Sequence, residues 1–268
     1  GGLVVEGLQP ITLSGNNLFT GGLSISGSVL VPSDAALGAG SVALGSGSSV
    51  ASLTLTGDLT TTKALSLESV WGVDVRVSAN RSAVWNGAVS GSAAVTKRDA
   101  GVLELGGANT FTGTLTVAQG IVRAASNNAL GNVATGTWIP IGAALEISDG
   151  VVLAAEPLGV TGSGVAGGGA IRGLGVASVS GPVTLGGAAP FVSLGSGALS
   201  KTGSGVLKLT GANVFSGGIN LNQGALEFGS TALGTGPVRV LDSSTVRWAA
   251  ENTSDIASTL VVSDAVGL

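Results

Sequence analysis

The sequence predicts an all-β protein: a right-handed parallel β-helix, a solenoid with about three short strands per turn. Three observations carry that prediction. Small and hydroxylated residues dominate while apolar content stays high, short apolar runs alternate with polar residues, and a Gly/Asn/Phe unit recurs with a nearly fixed internal length.

The composition comes first. Of 268 residues, 47 are Gly, 44% are hydrophobic, 10% are charged and 3% are aromatic, with no Cys, His, Met or Tyr. Disordered chains are poor in aliphatic residues and rich in charge, which this chain is not. Collagen needs Gly at every third position with abundant Pro, and here the glycines are irregular and Pro numbers 7. No apolar run reaches the ~18 residues of a membrane helix. Without Cys there is no disulfide framework and no thiolate metal site. Without His the commonest general base and metal ligand is missing. A net charge of -4 and a pI near 4.7 oppose the basic surface that a nucleic-acid partner would require.

The repeat comes next. Three segments align, 11–38, 103–131 and 207–234, on a Gly-x-Asn-x-Phe-[Ser/Thr]-Gly core and a closing Ala-Leu-Gly. Their anchors are Asn17, Phe19 and Gly38; Asn109, Phe111 and Gly131; and Asn213, Phe215 and Gly234. From Phe to closing Gly the count is 19, 20 and 19 residues, whereas successive Phe residues lie 92 and 104 apart. The short spacing is conserved within the chain and the long one is not. The unit is therefore a local structure inside a longer stack, and the chain reads as one continuous β-helix over 1–268.

Inside each unit apolar residues alternate, as on a half-buried strand: Leu207 and Leu209 flank Lys208, and Leu103 and Leu105 flank Glu104. Gly-Ala-Asn and Gln-Gly punctuate the strands and suit sharp corners. One direction change per short strand favours a coil whose strands pair in parallel one turn away, rather than a hairpin meander. At about 22 residues per turn the chain makes about 12 turns, and at ~4.8 Å per turn that is a rod of nearly 60 Å. A single turn cannot stabilise itself, so neighbours must supply the ladder bonds and stacked side chains. Gly1 is not a start Met and Val261–Leu268 stops in mid-pattern, which reads as an internal piece of a longer protein.

The stretch Val95 to Gly131, with Thr-Lys-x-x-Ala-Gly-Val-Leu-Glu-Leu-Gly-Gly-Ala-Asn-Thr-Phe-Thr-Gly at its start, resembles the passenger-associated transport repeat (autotransporter-associated β-strand repeat) of bacterial autotransporters. Ser200 to Gly234 follows the same pattern, and Ile11 to Gly38 follows it with Asn16 where the others have Ala. The resemblance implies a β-helical passenger domain, exported across the outer membrane of a Gram-negative bacterium to the cell surface or the medium. It also implies a translocator β-barrel elsewhere in the parent chain. A disulfide formed in an oxidising periplasm would hinder threading through a narrow pore, so the absence of Cys is consistent with that route.

Chemical motifs are few. Gly162-x-Gly164-x-x-Gly167 spells a dinucleotide fingerprint, but the Gly-rich stretch after it suits no helix. Lys201-Thr202-Gly203 matches one motif of penicillin-binding enzymes, and its Ser-x-x-Lys companion is absent. The acids are sparse, with Glu146 and Asp149 the closest pair beyond adjacency. No run carries the regular Gly-Gly-x-Gly-x-Asp of calcium-binding β-rolls. Trp71, Trp85, Trp138 and Trp248 read as core or end-covering indoles, with sugar stacking the alternative. Phe19, Phe111 and Phe215 read as inward plugs at a corner. Lys97-Arg98-Asp99 reads as a solvated, self-neutralised cluster, and the sequons at Asn80 and Asn252 carry no weight in a bacterial protein. Two stretches, 58–87 and 160–181, are candidate loop excursions from the rod.

The expected role is therefore structural: no catalytic, cofactor or metal residues, and a surface or secreted module for stalk formation, adhesion or matrix assembly. Its partners would be host or sister-cell glycan or protein, or copies of itself, with no nucleic acid. A polysaccharide-active or glycan-binding β-helix and a self-associating filament subunit are the rival readings.

Overall fold

A computed structural model describes residues 1–7, 9–47, 50–162, 164–185, 199–201, 204–213, 218–241, 244–256 and 260–263. The described residues form short strands with two single turns of 3-10 helix, Asp34–Leu37 and Val165–Gly167, and no α-helix. Among the described residues every strand pairing is parallel and joins residues roughly one turn apart, so the chain is an all-β parallel solenoid. Contacts divide it into two compact units, 1–135 and 136–268.

In the first unit three sheets surround the interior. One runs through Leu3–Val5, Leu23–Ile25, Val42–Leu44, Leu65–Leu67 and Val89–Gly91. The second runs through Ile11–Thr12, Ser28–Val31, Ala51–Leu55, Val73–Val77, Val95–Arg98 and Leu115–Val117, and the third through Leu59–Thr61, Ser82–Trp85, Val102–Leu105 and Gly120–Ala124. Among the described residues the middle turns of this unit carry a strand on all three sides. Because side chains alternate along a strand, parallel register stacks like on like: Leu23, Val42, Leu65 and Val89 form one inward column. Leu59, Ala83, Leu103 and Val122 form another. These residues are buried, and the interior void among Leu67, Trp85, Leu103 and Phe111 is about 20 Å³, too small for an organic ligand.

The second unit repeats the scheme. Leu199–Lys201, Ile219–Leu221, Val238–Leu241 and Leu260–Ser263 make one of its sheets, and Val152–Leu153, Val176–Val179, Val206–Leu209, Ala225–Phe228 and Thr245–Trp248 make another. Together the units hold about 10 turns, fewer than the length alone suggested. The reason is that some turns of the second unit are long: Lys208 lies opposite Ser178, 30 residues back, while Glu227 lies opposite Lys208 after 19.

Residues 58–87 hold four strands in register with the turns on either side. The charge that marked this stretch is engaged between turns: Lys63 with Asp34 at 2.6 Å, Arg76 with Asp99 at 2.6 Å and Arg81 with Asp58 at 3.5 Å. Within 160–181 a loop closes on the Gly164–Gly169 bridge before the strand Ile171–Gly173.

Candidate functional site

The repeat anchors meet at one corner of the turn. Asn109 is buried, accepts a hydrogen bond from the Val89 N–H at 2.8 Å and donates through Nδ2 to the Ala129 carbonyl at 2.7 Å. One carboxamide thus ties its own turn to the turn before and the turn after. Asn213 does the same between the Val183 N–H and the Ala232 carbonyl, and Asn17 donates to the Ala36 carbonyl at 2.8 Å. A corner leaves backbone groups without ladder partners, and an Asn is short enough to serve both a donor and an acceptor there.

The closing glycine lies under the aromatic ring. Phe111 is buried, and a Cβ on Gly131, whose φ is +84°, would come within 2.7 Å of its Cε2. Phe19 is half-buried and bears the same relation to Gly38, where φ is +74°. Gly234 shares the positive φ; Phe215 lies outside the described residues.

The repeat's lysine corrects the reading of Lys97 as a solvated residue. Lys97 faces inward, in the column of Val75 and Val117, and is fully buried. Its ammonium donates to the carbonyls of Asp99 at 2.5 Å, Gln119 at 2.9 Å and Gly101. Burial pulls its pKa down to about 8 against the opposing attraction of Asp99. Lys201, at the same place in the third repeat, is buried, donates to the Gln223 carbonyl and is likewise drawn down to about 8 by burial. Strand alternation from Val95 was the available signal: it places Thr96 and Arg98 outside and Lys97 inside. Arg98 and Asp99 do face outward, but their partners are Asp74 and Arg76 of the preceding turn.

The remaining candidates are dispersed. The last three glycine-motif positions, Val165–Gly167, form a 3-10 turn and the chain goes on to the strand Ile171–Gly173, so among the described residues no helix N-terminus follows to hold a phosphate. Glu146 is buried against Arg172 at 3.4 Å, and Asp149 accepts the Val176 N–H at 2.7 Å; each has a structural partner. Among the described residues no three acids gather as a metal site. Trp85 is a core residue whose Nε1 donates to the Lys63 carbonyl at 2.8 Å. Trp71 points outward and is 68% exposed, which corrects its reading as a core or end-covering indole. Trp138 lies over Gly159 of the next turn, and half-exposed Trp248 packs tilted against Phe228, ring centroids 5.4 Å apart.

One titratable residue escaped sequence reasoning. Glu156 is 3% exposed and accepts a hydrogen bond from the Thr137 hydroxyl at 2.8 Å. Burial raises its carboxyl pKa to about 7, partly offset by that hydroxyl. A lone Glu before Pro157 gives no sequence sign of this, because its neighbours come from another turn.

No described helix is long and apolar enough to cross a membrane. No curated protein and no solved structure matches the chain. The passenger-associated-transport-repeat family matches it three times, at residues 11–31, 95–124 and 199–228, less than a third of its length. That family implies export across the outer membrane and a translocator domain in the parent chain. The chain carries three passenger-associated transport repeats on a parallel β-solenoid, and so matches the repeat domain of an autotransporter passenger.

Proposed function

We propose that this chain is a non-enzymatic, surface-exposed structural module, a stiff scaffold that serves adhesion or matrix formation. The observation that carries this reading is the stapling of its corners from turn to turn by Asn109, Lys97 and Phe111. Side chains that a catalytic cleft would use are spent on rigidity. The outward acids Asp34, Asp74, Asp99, Glu104 and Glu227 each pair with a Lys or Arg. Repetition makes the outer faces multivalent, so weak contacts add to avidity.

Beads coated with the chain test this. Retention on host or sister cells above that of beads bearing an unrelated acidic protein supports adhesion, as does bead-to-bead clustering for the matrix role. Release of products from polysaccharide or peptide substrates would overturn the reading, as would beads that neither attach nor cluster.

A further inference from the structure

The second unit carries an open groove of about 530 Å³ where the sheet through Ile219–Leu221 turns into the sheet through Ala225–Phe228. Val206, Ala225 and Thr245 stand in one row across three neighbouring strands, and Asn222, Gln223 and Arg247 complete the lining. Its size falls within the usual range of ligand clefts, with apolar methyl groups and a few convergent polar groups.

The distribution of cations singles this groove out. The chain has 11 Lys and Arg residues. Lys63, Arg76, Arg81, Arg98, Arg123, Arg172 and Lys208 pair with carboxylates. Lys97 and Lys201 are buried on backbone carbonyls. Among the described residues only Arg239 and Arg247 have no such partner. Arg247 sits opposite Glu227 in register, yet that carboxylate is held by Lys208 at 3.0 Å. Arg239 lies opposite Asn220, two residues before Asn222. Among the described residues the two uncommitted guanidiniums are thus Arg247, in the lining of this groove, and Arg239, on the strand beside Ile219–Leu221.

We propose that this groove binds the uronic-acid residues of an acidic polysaccharide. Arg247 takes the sugar carboxylate through two parallel N–H donors, a geometry that guanidinium supplies and ammonium does not. The amides of Asn222 and Gln223 and the Thr245 hydroxyl take ring hydroxyls, and Val206 and Ala225 meet the C–H face. A sugar fits better than a peptide interface because this patch is far smaller than the ~800 Å² per partner that a stable protein complex needs. The proposal rests on the reading of the chain as an adhesive module and names the chemistry of its contact.

The test is titration of the isotope-labelled chain with trigalacturonic acid, with maltotriose and inorganic phosphate as parallel arms, followed by amide chemical shifts. The proposal expects shifts confined to 204–206, 222–225 and 245–247, reduced by salt and absent with maltotriose. R247Q should weaken binding about tenfold or more, Q223A should weaken it less, and R81Q should leave it unchanged. No shift, an equal response to maltotriose or phosphate, or unaltered binding by folded R247Q would overturn it. Bead adhesion separates the two readings. Beads that adhere while the groove is silent remove this proposal alone; a groove that binds on beads that fail to adhere removes the adhesive reading alone.

Discussion

The ring of Phe111 rests against the α-carbon of Gly131, one turn further along the stack. The glycine is required twice, since its φ is +84° and any Cβ would meet the ring at 2.7 Å. G131A therefore combines left-handed strain with a steric clash, and we expect a loss of about 2–4 kcal/mol. F111A, which empties a buried site, should cost about 3–5 kcal/mol. Urea unfolding of the two variants checks both; a change below about 0.5 kcal/mol in G131A would show that the contact does not constrain the corner.

Lys97 is a buried charge held by backbone carbonyls. Burial disfavours its charged form and draws its pKa down to about 8, against the attraction of Asp99. Its three bonds to the carbonyls of Asp99, Gly101 and Gln119 are charge-assisted, each worth about 1.5–3 kcal/mol. Without the ammonium the Asp99 and Gln119 carbonyls lose this donor, while Gly101 keeps the Ile121 N–H. K97M, which keeps the stem, should destabilise the first unit by about 2 kcal/mol or more. Increased amide exchange in Gly120–Ala124 would locate the damage.

The Val89 N–H donates to the Asn109 carboxamide at 2.8 Å. N109A should cost about 2–4 kcal/mol, because it leaves one buried donor and one buried acceptor without partners. N109D should retain protection of the Val89 amide while losing the bond to the Ala129 carbonyl. Hydrogen exchange at Val89 distinguishes the two variants.

Glu156 ties stability to pH. Its folded pKa is about 7 and its ordinary value is 4.5. Below 4.5 both states hold the proton and the group contributes no slope. Between 4.5 and 7 the unfolded chain releases a proton that the folded chain keeps, so stability falls as pH rises, by up to about 3 kcal/mol. Above 7 the penalty is constant. E156Q should flatten that interval and exceed the wild type in stability at pH 8, as measured by urea midpoints from pH 4 to pH 8.

Much of this architecture is written in the order of residues. Alternation such as Leu103-Glu104-Leu105 and the Asn109/Phe111/Gly131 spacing lead to the strands, the corners and the parallel stack. Three features escaped, and for two of them, Glu156 and the groove, the partners lie a turn away. Lys97 looks like surface charge until register places it between Val75 and Val117. Glu156 becomes unusual only beside Thr137. The groove gathers Val206, Gln223 and Arg247, which no local motif unites. Trp71 failed in the opposite sense, since hydrophobicity argued for burial and the turn beginning at Ser69 carries it outward.

The parallel stack itself is open to one direct measurement, made clean by the absence of Cys. Ser28 lies opposite Ser52, and Leu30 opposite Thr54, about 5 Å apart across the ladder. A short bis-thiol reagent should bridge S28C/S52C and L30C/T54C in high yield and leave S28C/T54C and L30C/S52C largely unbridged. Bridging of the second two pairs instead of the first would mean antiparallel strands, and the account of a solenoid built on stacked aliphatic columns would be wrong.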